Sequence, residues 1–165
     1  MLVAVYLTAI VAANLLVARF GPSVTIINAF LFIGLDITTR DALHDRWHGR
    51  SLWPKMAALI AAGSALSWLL NRNAGPIALA SFAAFAASGV VDAAVYALLG
   101  KAARLVRVNG SNVLSAAVDS LVFPTLAFGG LLWPIVLGQF AAKVLGGFVW
   151  SLLLAGRKVG QLAQL

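Results

Sequence analysis

Long apolar runs, separated by short polar interruptions, organise this chain from one end to the other. The runs cover residues 2–18, 24–38, 53–70, 76–99, 113–128 and 132–154. Crossing the hydrocarbon core of a bilayer takes about 20 apolar residues, with a range of roughly 17–25. The second run is short for a crossing unless it continues past Asp36. Between the last two, Gly129 and Gly130 mark a tight turn. Pro134 falls in the first turn of the following helix, where the missing N–H has no partner to lose. The pattern predicts an all-α, polytopic membrane protein: a compact bundle of six transmembrane helices forming a single domain over residues 1–165.

Composition agrees with the pattern. Hydrophobic residues make up 62% of the chain and charged residues 10%, against about 25% charged in an average soluble domain. That is too little polar surface to cover a soluble globule. The absence of cysteine excludes a disulfide framework and a thiolate metal site. The net charge of +7 is a signal of topology rather than of nucleic-acid binding. Arg40, Arg46, Arg50 and Lys55 lie in the second connection, Lys101, Arg104 and Arg107 in the fourth, and Arg157 and Lys158 in the tail, whereas the opposite side carries only Arg19 and Arg72. The positive-inside rule then sets both termini in the cytoplasm, with the chain in the plasma (inner) membrane. No basic segment precedes the first apolar run, so that run is expected to be a retained helix and not a cleaved signal.

Ionisable groups within the apolar runs carry the functional signal. A charge at the bilayer centre costs about 2.5–3.5 kcal/mol on insertion scales, so it persists when paired or when it lines a polar cavity. Three such groups occur: Asp92, Asp119 and Lys143, with the amides of Asn14 and Gln139 as weaker members. On the fourth helix Ser81, Phe85, Ser88, Asp92 and Tyr96 recur at helical spacing. On the fifth Ser115, Asp119 and Phe123 do so, and on the sixth Gln139, Lys143 and Gly147. Each of three consecutive helices thus offers a polar stripe to one interior. Two readings stay open here: a ligand cavity, or an Asp–Lys pair that fixes helix packing. Asp41, His44, Asp45 and His48 have a spacing that could hold a divalent metal, but a solvated helix end explains them equally, and no metal site is assigned. Asn109-Gly110-Ser111 is a formal glycosylation sequon on the cytoplasmic side.

These residues resemble a known family. Ala13-Asn14-Leu15-Leu16-Val17, then Phe30-Leu31-Phe32-Ile33-Gly34-Leu35-Asp36-Ile37-Thr38-Thr39-Arg40, are similar to the opening of the queuosine-precursor transporters, also called the vitamin uptake transporter (VUT) family. Ala80-Ser81-Phe82 leading to Asp92, the run Ser115-Ala116-Ala117-Val118-Asp119-Ser120-Leu121-Val122-Phe123, and Ala141-Ala142-Lys143-Val144 continue the likeness in the same order. The resemblance implies a fold similar to the substrate-binding subunits of energy-coupling-factor transporters. It implies import of 7-cyano-7-deazaguanine or a related 7-deazapurine used in queuosine biosynthesis. It makes Asn14, Asp36, Asp92, Asp119, Phe123 and Lys143 functional candidates, with Arg40 beside Asp36 at the cytoplasmic end. Family members often carry Gln three residues before the helix-four Asp and Asn three before the helix-five Asp. Here those positions are Gly89 and Ala116.

The chemistry fits such a ligand. A deazaguanine presents a ring N–H beside an exocyclic amine, and a carboxylate, that of Asp119 or Asp92, can accept both. Lys143 could donate to the ring carbonyl or neutralise the second Asp. Phe85 or Phe123 could stack on the ring, and Ser88 and Gln139 supply further polar contacts. No cofactor is called for, and no nucleic-acid partner. The expected partners are the lipid bilayer, the small-molecule substrate and, if transport is driven by ATP, an energy-coupling module, since the chain has no Walker-type loop. The alternatives are a carrier or binding subunit for another vitamin-like solute, a holin-like structural protein, and an intramembrane aspartyl protease. The last would need a Gly-x-Gly-Asp context that Gly89-Val90-Val91-Asp92 lacks.

Overall fold

Apolar runs in lipid become helices because every backbone N–H and C=O must find a partner within the segment. The computed structural model describes residues 1–47, 52–100 and 102–162, and all its regular elements are helical. Helix α1 is Leu2–Phe20. A tight 3₁₀ turn, Gly21–Val24, leads into α2, Thr25–Asn28. A π-helical turn, Ala29–Ile33, joins α2 to α3, Gly34–Arg46. Then follow α4, Leu52–Leu70, α5, Gly75–Leu98, α6, Arg104–Phe128, and α7, Trp133–Leu162.

Among the described residues, four helical stretches are long and apolar enough to cross a membrane: Leu2–Leu43, Arg72–Leu98, Gly110–Phe128 and Trp133–Leu153. The first holds 42 residues, about twice what one crossing needs, and the turn at Gly21–Val24 divides it. Helix α4 falls outside this set; Pro54, Lys55, Ser64 and Ser67 dilute its apolar residues.

The second apolar run does not end near Thr38. Its helix continues to Arg46. Charge was the reason to expect an end there, yet Asp36 is 1% exposed and Arg40 7%. Both point into the protein, so they do not oblige the chain to leave the helix. Helix α6 likewise begins at Arg104, earlier than the apolar run itself. It runs through Pro124 to Phe128 and stops at Gly129, whose φ of 72° is the left-handed cap that glycine adopts without a Cβ penalty.

Neighbouring helices close into a ring. α1 packs on α4, α4 on α5, α5 on α6, α6 on α7, α7 on α3 and the π-turn, and α3 on α1. The outer faces are apolar: Leu70, Leu79, Leu137 and Phe148 are largely exposed, as side chains bathed in lipid would be. The polar residues lie inside, where Asn14, Asn28, Asp36, Arg40, Ser81, Asp119, Gln139 and Lys143 are all buried.

α7 meets α3 and the π-turn backbone to backbone. A Cβ built on Gly34 would lie 2.6 Å from the Gly146 carbonyl carbon, and one on Gly146 would overlap the Phe30 carbonyl oxygen. Small residues at this crossing let two helix backbones touch. Thr38 Oγ1 donates to the Gly34 and Gly147 carbonyls, and Trp150 Nε1 donates to the Leu31 carbonyl at 2.9 Å. The π-turn is thereby tied to α7 immediately after Asn28.

Candidate functional site

Inside the ring, α1, α2, α5, α6 and α7 enclose a small polar cavity. Asn14, Asn28, Ser81, Phe85, Asp119, Phe123, Gln139 and Lys143 line it. Its free volume is about 20 Å³, room for a single water.

Lys143 organises one wall. Its ammonium meets Asp119 Oδ2 at 2.7 Å, Ser120 Oγ at 3.0 Å and Gln139 Oε1 at 3.1 Å. An ammonium has three N–H donors, and these three acceptors use them all. Lys143 therefore holds Asp119 and Gln139 in place and has no donor left for a ligand. In this arrangement it is the ion-pair partner of Asp119.

The orientation of the amides follows from the same logic. An ammonium only donates, so the oxygen of Gln139 must face it, and Nε2 faces elsewhere. Asn28 Nδ2 donates to the Ala13 carbonyl at 3.0 Å, which turns its Oδ1 away from that carbonyl. Three buried atoms of the cavity residues are left without a hydrogen-bond partner: Asp119 Oδ1, Asn28 Oδ1 and Gln139 Nε2. Two are acceptors and one is a donor. Phe85 and Phe123 supply flat apolar walls, and Phe123 is braced edge-on by Phe128 at 6.1 Å between ring centroids.

Asn14 is engaged on both its amide nitrogen and its oxygen, with one N–H and one lone pair of the side chain left over. It donates to Ser67 Oγ at 3.1 Å and accepts from Ser81 Oγ, while Ser67 donates to the Gly63 carbonyl. It stitches α1, α4 and α5 together at the cavity edge. Interhelical hydrogen bonds in membranes contribute about 0.6–2 kcal/mol each. Asn14→Leu should therefore lower stability by about 1–3 kcal/mol, read as a fall in thermal midpoint in detergent. An unchanged midpoint would remove Asn14 as a structural tie.

A second cavity, of about 200 Å³, lies between α1, α3, α4 and α5. Tyr6, Asp36, Arg40, Trp53, Phe82, Phe85 and Asp92 are among its walls. The single interior expected for Asp92, Asp119 and Lys143 is thus two chambers with Phe85 between them. Helical spacing correctly put Ser81, Phe85, Ser88 and Asp92 on one side of α5. It could not convey depth: Asp92 lies eleven residues beyond Ser81, about 16 Å along the axis. Ser88 lines neither chamber, and its hydroxyl donates to the Phe85 carbonyl. Asp36 and Arg40 belong to the second chamber.

Two site residues escaped the sequence reading as candidates. Asn28 is the one amide in the 24–38 run, and that signal was legible. Ser120 as a ligand of Lys143 was not, because an Asp-Ser pair says nothing about which partner each will meet. Of the residues proposed from spacing as metal ligands, His48 lies outside the described residues, as do the side chains of His44 and Asp45.

The family model described as "Putative vitamin uptake transporter" matches residues 5–155. The chain belongs to this family. Neither the curated proteins nor the solved structures contain a match. As a member of the vitamin uptake transporter family, with several apolar helices, the chain is a multi-pass membrane protein of a transporter family whose substrates are small molecules. Nearly the whole ring, including both chambers, falls within the matched residues.

Proposed function

We propose that this chain imports a 7-deazapurine base, 7-cyano-7-deazaguanine or a close relative, across the plasma membrane. In this reading six helices cross the bilayer, residues 25–46 and α4 among them, and both termini are cytoplasmic.

One observation carries the substrate: the unpaired groups of the polar cavity complement the edge of a guanine-like base. Such a base offers a ring N–H, an exocyclic amine and a carbonyl oxygen in a row. Asp119 Oδ1 and Asn28 Oδ1 are free to accept from the two donors, and Gln139 Nε2 is free to donate to the carbonyl. Phe85 and Phe123 can stack on the ring; base–aromatic stacking contributes about 1–3 kcal/mol. With about 20 Å³ free, the cavity is too small for the base as it stands, and binding requires the helices around it to part. A site that opens, receives a flat ligand and closes is what alternating access needs.

The charge state selects among deazapurines. Asp119 and Lys143 form a neutral pair. A neutral cyano base needs no counter-charge there, whereas a protonated aminomethyl base would bring an uncompensated ammonium into a dry site. The test uses cells that cannot make the precursor. Expressing this chain and feeding 7-cyano-7-deazaguanine should restore queuosine in tRNA, and half-maximal rescue should need at least about tenfold more of the aminomethyl base, the equivalent of about 1.4 kcal/mol. Failure of every deazaguanine to rescue, with the protein present in the membrane, would end the substrate assignment.

A further inference from the structure

We infer that the second chamber is a binding station for the same base, so that transport passes through two sites in series with Phe85 as the partition. The inference rests on the substrate reading above. It starts from the buried polar atoms that the first site does not use. Arg40 Nε and Nη2, Asp36 Oδ1 and Asp92 Oδ1 are all buried without a hydrogen-bond partner, and all three residues line this chamber.

Nε and Nη2 form one edge of the guanidinium, the fork that engages two acceptors at once. On 7-cyano-7-deazaguanine the ring carbonyl and the nitrile project to the same side from the two carbons that flank one ring-fusion carbon. They give this fork two acceptors. The ring N–H and exocyclic amine then face a carboxylate, Asp36 or Asp92. The chamber thus repeats the chemistry of the first site, acceptors for the base's donors and donors for its acceptors, and adds the nitrile to the groups it can meet. An isolated anion fits poorly, because two carboxylates flank the single guanidinium.

Size and walls agree. About 200 Å³ is free here, against about 20 Å³ in the polar cavity. In this conformation the second chamber has room for the base and the first site does not. Most ligand pockets are apolar with a few placed polar groups, and Tyr6, Phe82 and Trp53 give this one aromatic surface. Phe85 lines both cavities. A rotation of one buried ring would join them. Trp53, in the first turn of α4, is 52% exposed, so the chamber reaches the protein surface at the end of α4 assigned to the cytoplasm.

Trp53 lines the second chamber and not the first, which makes it a reporter. In the full chain, with Trp47, Trp68, Trp133 and Trp150 replaced by Phe, 7-cyano-7-deazaguanine should quench Trp53 fluorescence in detergent and in nanodiscs. Asp119→Asn should leave the apparent Kd of that quench within threefold, because the chamber is reached from its own mouth. Arg40→Lys keeps the charge but loses the fork, and should weaken it more than tenfold; Asp36→Asn, similar in volume, is the second variant should the lysine variant fail to fold. Both should lower net uptake.

Binding of the base to the unaltered chain without any Trp53 response would overturn the second station and leave the first intact. Absence of binding altogether would overturn the substrate reading instead. A Trp53 signal that changes between phosphatidylcholine and phosphatidylethanolamine nanodiscs but ignores the base would mean that a zwitterionic lipid headgroup occupies the chamber, and the inference would fall.

Discussion

Asp119→Asn is expected to abolish uptake, by at least about a hundredfold, while the protein still reaches the membrane. The carboxylate does two things at once. Oδ2 accepts from Lys143 at 2.7 Å, and Oδ1 has no partner within the protein. In the amide variant the oxygen must stay with the ammonium, which can only donate. The nitrogen then occupies the position of Oδ1. An acceptor facing the ligand becomes a donor, set against the ring N–H it should receive. Sites that hydrogen-bond their substrate reject a mismatched partner by about 10⁴–10⁵-fold, so a hundredfold is a cautious floor. Uptake of labelled base into expressing cells measures it, with membrane abundance as the control. Wild-type uptake by this variant would sink the role of Asp119.

The same pair has a stability signature. Removing one partner of a buried ion pair strands the other, at a cost of about 3–5 kcal/mol, whereas replacing both is often neutral. Asp119 is 6% exposed and Lys143 2%, so whichever charge is stranded has no easy route to water. Lys143→Met should therefore destabilise the protein more than the double variant Asp119→Asn with Lys143→Met. Thermal denaturation of the two single variants and the double variant gives the coupling. Simple additivity would contradict the pair as the central tie of α6 to α7.

Gly146→Ala is expected to be the most damaging small change away from the chambers. A Cβ there would overlap the Phe30 carbonyl oxygen and lie 3.1 Å from the Phe30 Cα. Both are backbone, so no side chain can swing aside. The π-turn and α7 would have to separate, and overpacking of this kind typically costs about 1–3 kcal/mol and occasionally more. Separation would also pull Asn28 away from Gln139 and Lys143, so uptake should fall with stability. Gly34→Ala meets the same contact from the other side and should behave alike. Gly89→Ala is the control: nothing lies within 4 Å of its added Cβ, and alanine in a helix is favoured over glycine by about 1 kcal/mol. A fall in melting temperature for Gly89→Ala as large as that for Gly146→Ala would remove the close backbone contact as the cause.

Much of the site was legible in the sequence, because charge is scarce in a membrane. Asp119, Lys143, Gln139 and Asn14 stand out as polar residues in apolar runs, and all four line one cavity. What spacing could not supply was the level along the helix axis and the identity of partners. That is why Asp92 was expected in one interior with Asp119 and Lys143 and instead lies across Phe85 in the second chamber with Arg40. Nor could spacing say which acceptors the Lys143 ammonium meets; the three distances around its nitrogen name them.

The helix ends divide in the same way. The turn at Gly129 was readable because a left-handed cap favours glycine. The continuation of the second helix to Arg46 was not, because sequence gives charge but not what surrounds it. By itself the sequence determined the helical class, the membrane as solvent and Asn14, Asp119, Gln139 and Lys143 as interior polar residues, since these follow from apolar run length and the cost of burying charge. The tertiary structure alone decided which polar atoms satisfy one another and which are left over, since that depends on contacts between helices far apart in the chain. The leftover atoms, Asp119 Oδ1, Asn28 Oδ1 and Gln139 Nε2 in one chamber and those of Arg40, Asp36 and Asp92 in the other, are where a ligand has something to bind.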